Sequence, residues 1–565
     1  MYILKRIFPS KLLKIYSLYQ FTDKTIQRKS LITLIIVLFA GVIESLVILL
    51  IVPFAKEILL SGDSMDVSYL RQLSVLLGFS VILSGILRSL ALRKTNFNSA
   101  LIVNNLAKKI YEKIIFHKYR HIKSLSAKEM ISKITFLDTM LTGIVCPIWA
   151  LTTNIVIGSM IFSVFLLRIG AFAFYGVFLI IACYLFIYGS VRKRIVKFDK
   201  LQKKNKAETL HIINTTVNGI RDIRVNYQEK QLIKSFDLND FPLRKASSSI
   251  NTMAGLPRII LENLVFLSFA FYAFLRSSES SNLLIPDLAV LLVVFQRLLP
   301  LGQSIYGSLI SINSNNYLID SCLEVFNDLP QIANKETSNF KTKVSKKSEY
   351  ILKNIAYLEK GKDILNNINL VLSPNKIVGI YGKSGSGKST LLDIVAGLIN
   401  QTSGKIMYNK DEVNCAQRIS LTSMVSQSSY LFSGSLKYNI TFKNKLTKKE
   451  YKHMINCCKI ACIDKFIDES KNNYDLVLGS SSFNNVSGGQ KQRICIARAL
   501  YNNSSVLILD EITSSLDQET SSNILNLIKT ELKDLIIILV SHKPEDLKLC
   551  DDLYHLNKGS LFKIK

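Results

Sequence analysis

The sequence predicts a polytopic α-helical membrane domain followed by an α/β domain that holds a nucleotide. Three observations carry that expectation. The first ~320 residues contain six apolar stretches, each near the ~20 residues a helix needs to cross a bilayer. A polar, Lys-rich stretch, DLPQIANKETSNFKTKV at 328–344, then breaks the apolar pattern and reads as a linker. Beyond it, short apolar strands such as KIVGIYG and SVLILDE alternate with helical stretches. The expected division is 1–327 for the membrane domain, 328–344 for the linker and 345–565 for the nucleotide-binding domain.

At 565 residues the chain is too long for one ordinary core. Its hydrophobic content is 48% and its mean hydropathy +0.25, high for a wholly soluble protein. The net charge of +29 suits either nucleic acid or anionic lipid. The apolar runs favour lipid, so membrane lipid is the expected partner and nucleic acid is not. Nine cysteines without framework or zinc spacing read as reduced structural thiols.

The expected spans are 31–54, 72–92, 139–167, 170–191, 256–275 and 284–312. Orientation follows from the distribution of Lys and Arg. Residues 191–206 hold eight basic residues against one acid, Asp199, and 93–135 is also basic. Both termini and the two long segments 93–135 and 192–252 are therefore expected in the cytoplasm. Helical patterning such as LAKKIYEKIIFHKY implies that the membrane helices continue well beyond the bilayer.

GKSGSGKS fits the G-x-x-x-x-G-K-[ST] phosphate loop and lies between a strand and a helix, the context that motif requires. Its residues are Gly382, Lys383, Ser384, Gly385, Ser386, Gly387, Lys388 and Ser389, followed by Thr390. The glycines let backbone N–H groups approach the phosphates, Lys388 supplies a cation, and Ser389 is a magnesium ligand at a helix N-terminus. ATP and Mg2+ are the cofactors expected. SVLILDE ends in two acids. Asp510 suits magnesium and Glu511 suits polarising the attacking water. The bland alternative, an ordinary acid pair at a strand end, loses to VSGGQKQR just upstream.

VSGGQKQR at 486–493, taken with these motifs, resembles the signature of ATP-binding-cassette (ABC) ATPases. Gln427 in MVSQSSYLF looks like that family's Q-loop glutamine, a nucleotide and magnesium contact. SSLD at 514–517 looks like its D-loop, and His542 in LVSHK like its switch histidine. The resemblance covers residues ~345–565. It implies ATP hydrolysis with Glu511 and His542 as catalytic residues. It also implies that Ser487, Gly488, Gly489 and Gln490 of one copy meet the ATP held by another. A chain with one cassette then needs a partner, and a homodimer is the simplest expectation. The family places an aromatic on adenine, for which Tyr357 is the candidate, although the register favours Leu358 at that position. Val486 stands where Leu is usual, and GSSSFNN replaces the acidic or glycine-rich stretch that many exporters carry before the signature.

Six spans followed by one cassette resemble an ABC exporter half-transporter. Charges that interrupt the spans include Glu44, Arg88, Arg258, Glu262 and Arg297. Intramembrane charge is a functional candidate by default. Arg258 and Glu262, at i and i+4, share one helix face and suit a structural tie; Arg88 and Arg258 also suit snorkelling at a membrane boundary. Arginine matches phosphate in a bidentate fork, and Arg297 is the first choice for ligand contact. PRIILE, FQRLLP and the placements of Glu44 and Arg88 resemble PglK-type flippases. That resemblance implies ATP-driven movement of a polyprenyl-diphosphate-linked oligosaccharide, an anionic amphiphile, across a bacterial inner membrane. It also implies a periplasm-facing element near AKEILL at 55–60. The alternative expectation is an exporter of a drug, peptide or other lipid, with the charges structural.

Overall fold

The computed structural model describes residues 10–60, 67–117, 119–120, 137–169, 171–275, 284–328, 348–359, 361–469, 473–478, 486–512, 516–532 and 534–565. The chain forms two compact units. One comprises residues 1–117 and 125–331, the other residues 118–124 and 332–565.

The first unit is helical. After α1 (Ser10–Gln20) come α2 (Lys24–Leu60), α3 (Val67–Ile115), α4 (Cys146–Ile169), α5 (Ala171–Asn218), α6 (Glu229–Leu275), α7 (Leu284–Ser314) and α8 (Asn316–Asp328). Each expected span falls on one of α2 to α7, the third entering α4 through a π-turn at Leu141–Val145. Among the described residues, α2, α3 and the 137–164 helix have windows long and apolar enough to cross a membrane. The α3 and α5 helices run far past their apolar parts, as the basic segments 93–135 and 192–252 led one to expect. AKEILL is helical, as the end of α2, while residues 61–66 of the expected periplasm-facing stretch lie outside the described residues. The reason for the helix is local: Pro53 removes one backbone N–H, but no glycine or turn-forming residue lies between it and Leu60 to stop the helix sooner.

Large apolar side chains such as Leu31, Ile32, Phe39, Val75, Phe79 and Ile82 are exposed on α2 and α3, as a lipid-facing surface requires. Their opposite faces carry small and polar residues that let helices approach. A Cβ on Gly41 would lie 2.6 Å from Met160 Sδ, so α2 and α4 pack closely there. Asn98 donates to Thr33 Oγ1 at 2.5 Å, and Asn154 to Ser304 Oγ at 2.7 Å, tying α3 to α2 and α4 to α7. At one end of the bundle Leu106, Ile110, Met140, Ile144, Leu318 and Ile319 form a buried cluster that anchors α8.

The second unit is α/β. One sheet is antiparallel and contains β1 (Tyr350–Glu359), β2 (Lys362–Leu372) and β4 (Ser403–Tyr408), in the order β2-β1-β4 and then a two-residue strand at Asp411–Glu412. The six-stranded sheet contains β3 (Ile377–Tyr381), β5 (Thr422–Val425), β6 (Val506–Asp510), β7 (Ile536–Val540), β8 (Asp552–Asn557) and β9 (Ser560–Lys563), in the order β9-β8-β3-β7-β6-β5. Its inner strands are parallel and buried on both faces, which is why KIVGI, VLIL and IIILV read as unbroken apolar runs. The consequence is functional. Strands β3, β6 and β7 end side by side, and ligand sites in parallel sheets form at those carboxyl ends.

Candidate functional site

The phosphate loop follows β3 and opens α9 (Lys388–Val395). Gly385 and Gly387 have φ of 81° and 105°, backbone that side chains resist. A Cβ on Gly382 would fall 2.2 Å from the Leu556 carbonyl oxygen, so only glycine fits there. Lys388 Nζ donates to the carbonyl oxygens of Gly382 and Lys383, at 2.6 and 3.1 Å. The lysine thus lies across the loop that it begins to close. Ser386 Oγ is buried inside the loop without a hydrogen-bond partner.

At the end of β6 the structure brings together residues from three separate motifs. Glu511 sits at φ 51°, its N–H held by the Val540 carbonyl at 2.9 Å, which joins β6 to β7 beyond their ladder. Gln427 Nε2 donates to Glu511 Oε2 at 2.5 Å, and His542 Nε2 lies 3.2 Å from Glu511 Oε1. The carboxylate expected to polarise water is thus held from both sides by the glutamine and the histidine. Burial, then the charges of Glu511 and Asp393, push the Asp510 carboxyl above its ordinary range, against Lys388 and His542. Such crowding of acids favours a cation. The oxygen donors of Asp510, Ser389 and Gln427 suit magnesium, which takes one or two protein ligands and completes its shell from phosphate and water. Ser389 and Gln427 are the ligands expected, beside Asp510.

Ser487 caps α10 (Gly488–Tyr501), accepting from Gln490 N while Gln490 Oε1 accepts from Ser487 N at 2.9 Å. This leaves Gly488 and Gly489 as an open helix start, which suits an anion. Asp517 of the SSLD stretch caps α11 (Gln518–Glu531), and Thr520 hydrogen bonds hold its carboxyl below the usual range. Ser514 and Ser515 lie outside the described residues, as does GSSSFNN.

Two supports escaped the sequence reading. Gln492, 1% exposed, donates to the Glu511 carbonyl and ties the signature helix to the catalytic strand end. Asp546 accepts from Ser521 and Ser541, at 3.1 and 2.7 Å, in a buried network beside His542. Gln492 lies in VSGGQKQR but its contact was not legible there, and Asp546 follows no motif; both contacts depend on helices returning to the sheet.

Tyr357 stands differently from its expectation. Its side chain is 8% exposed, in the core between the two sheets, opposite Leu365 on β2. The Arg120 guanidinium lies over its ring, 4.9 Å from the centroid. Leu358, in the competing register, is 48% exposed.

In the helical unit the structure gathers Glu44, Arg88 and Arg297 of the span charges. Glu44 of α2 is 2% exposed. Its Oε1 accepts from Arg88 Nη1 of α3 at 3.2 Å and from Arg297 Nη1 of α7 at 2.9 Å. Its Oε2 accepts from the Ser84 hydroxyl, one turn from Arg88. Arg88 and Arg297 keep 44% and 37% of their side chains exposed, so each guanidinium retains donors directed away from the carboxylate. Arg258 and Glu262 pair with each other at 2.7 Å, the helix-face tie their spacing allows.

The comparisons match this architecture. The ABC transporter family profile matches residues 365–514. The chain is 25% identical over 513 residues to an ATP-dependent lipid A-core flippase of Haemophilus influenzae, covering 87% of this chain and 84% of that protein. It is 25% identical over 388 residues to the protein of the same description from Hahella chejuensis, covering 67% of this chain and 65% of that one. A putative export ATP-binding/permease protein of Rickettsia bellii is 34% identical over 201 residues, about a third of each chain. A solved bacterial Atm1-family ABC exporter with ATP bound superimposes with a TM-score of 0.75 over 95% of both chains at 18% identity, a likeness of fold. The chain thus has the ABC exporter fold, a helical membrane domain followed by an ABC ATPase cassette.

Proposed function

We propose that the protein is an ATP-driven flippase that moves a polyprenyl-diphosphate-linked oligosaccharide across the bacterial inner membrane, working as a homodimer with both termini in the cytoplasm. The observation that carries the substrate reading is the Glu44 group. Two arginines share one carboxylate, so each copy keeps an uncompensated positive charge among these three residues. Two copies would place two such charges around a shared cavity, and guanidinium forks suit a diphosphate. The relatives named as flippases of a lipid support the same class of cargo.

In this reading Lys388 leaves the loop carbonyls for the β- and γ-phosphates, and the backbone N–H groups of 383–389 complete the cradle. Ser389 and Gln427 would hold magnesium, which would supply charge neutralisation at the phosphates. Glu511 accepts a proton from the attacking water, oriented by Gln427 and His542. Ser487, Gly488, Gly489 and Gln490 of the second copy close on the γ-phosphate. The alternative is an exporter of a drug, a peptide or another lipid, and the lipid A-core description of the relatives favours its lipid form.

The test is ATPase stimulation of the purified protein in nanodiscs by a panel of lipids. Polyprenyl-diphosphate oligosaccharide is expected to stimulate more than its monophosphate, neutral amphiphiles or drug-like compounds. Equal stimulation by neutral amphiphiles would sink the diphosphate reading.

A further inference from the structure

Residues 118–124 belong to the cassette's compact unit, although the chain reaches them between α3 and α4, long before β1. Arg120 makes two contacts there. Its guanidinium covers the Tyr357 ring, and it forms an ion pair with Glu359, two residues along the same strand. These residues neighbour the phosphate loop: Tyr357 pairs with Leu365, and Leu365 Cδ2 lies 2.9 Å from where a Cβ on Gly387 would stand. A nucleotide whose phosphates rest on the loop therefore directs its base toward the β1–β2 end. Tyr357 cannot offer a face to that base, because one side is packed in the core and the other is covered by Arg120. Leu358 is aliphatic and has no π-face.

We propose that Arg120 is the base-stacking residue of the ATP site, with Tyr357 as its backing and Glu359 as its reader of the base. A guanidinium is planar and has two faces; one rests on Tyr357, and the side chain remains 34% exposed. The Glu359 carboxylate is only an acceptor. It suits the exocyclic amine of adenine and repels the exocyclic oxygen of hypoxanthine. The inference rests on the reading of the cassette as an ATP site and supplies the base contact that the cassette's own strand lacks.

Calorimetric titration of the full-length protein in nanodiscs tests it, using magnesium-free ATP, ITP and inorganic triphosphate. The wild type should bind ATP about tenfold tighter than ITP, and Arg120→Ala should weaken ATP about tenfold while triphosphate affinity holds. Glu359→Gln should narrow the ATP-to-ITP gap, since an amide can also donate. An unchanged ATP affinity in Arg120→Ala, or an equal loss for triphosphate, would overturn the proposal. Should Arg120→Ala fail to fold, Arg120→Lys keeps the charge and loses the plane; the same selective loss of ATP is expected, and full retention overturns it. A wild type that binds neither ATP nor triphosphate would instead remove the underlying ATP reading.

Discussion

Glu44→Ala is the most informative single change in the helical unit. It removes a buried carboxylate that two guanidiniums and a hydroxyl share. Breaking a fully buried ion pair costs about 3–5 kcal/mol. Arg88 and Arg297 are more than a third exposed, so their part is discounted toward the ~0–1 kcal/mol of surface pairs. The Ser84 hydroxyl loses its acceptor, worth about 1 kcal/mol. Together these give about 2 kcal/mol. Arg297→Ala leaves Glu44 paired with Arg88 and Ser84, and should cost only about 1 kcal/mol. The order of stability is therefore wild type, then Arg297→Ala, then Glu44→Ala, measured by unfolding in detergent micelles. A double-mutant cycle between Glu44→Gln and Arg297→Gln should show coupling near 1 kcal/mol. Flipping should respond in the other order: Arg297→Ala loses a phosphate donor, whereas Glu44→Gln keeps both arginines and frees them. Equal stability of both single variants, or undiminished flipping by Arg297→Ala, would refute this account of the cluster.

The cassette makes two further predictions. Glu511→Gln should retain ATP binding and lose about 10²–10⁴ in turnover, read from nucleotide titration beside phosphate release; retained turnover would remove Glu511 from its role. Asp510 has a folded-state pKa raised above its ordinary value, so its contribution to stability is full below that value and falls as pH rises through the raised one. Asp510→Asn should therefore gain Tm relative to wild type between about pH 4 and 7, without magnesium or nucleotide. A mutant-minus-wild-type difference that stays flat with pH would contradict the crowding of Asp510 by Glu511 and Asp393.

The ATP motifs were legible in the sequence because each is local: a glycine turn, a capped helix start, an acid at a strand end. Their spacing along the chain did not show that Gln427, Glu511 and His542 touch. That contact depends on β5, β6 and β7 ending side by side, which sheet order alone decides. The sequence reading gave no sign of the contact between Arg120 and Tyr357. Tyr357 looked available on its strand, but packing between two sheets buries it, and Arg120 arrives from a distant part of the chain.

The same division holds among the membrane charges. Helical periodicity determined that Arg258 and Glu262 share a face, because i and i+4 lie one turn apart, and the structure holds them as a pair. Periodicity was silent on Glu44, Arg88 and Arg297, which lie on three different helices. Only the packing of α2 against α3 and α7 decided that one buried carboxylate serves two arginines. The sequence by itself determined the apolar helices and the phosphate loop, since chain-local hydropathy and turn geometry are enough for those; the expected linker lies outside the described residues, apart from Asp328. Tertiary structure decided which charges are paired, because Coulomb energy depends on distance through space and on burial, not on separation along the chain.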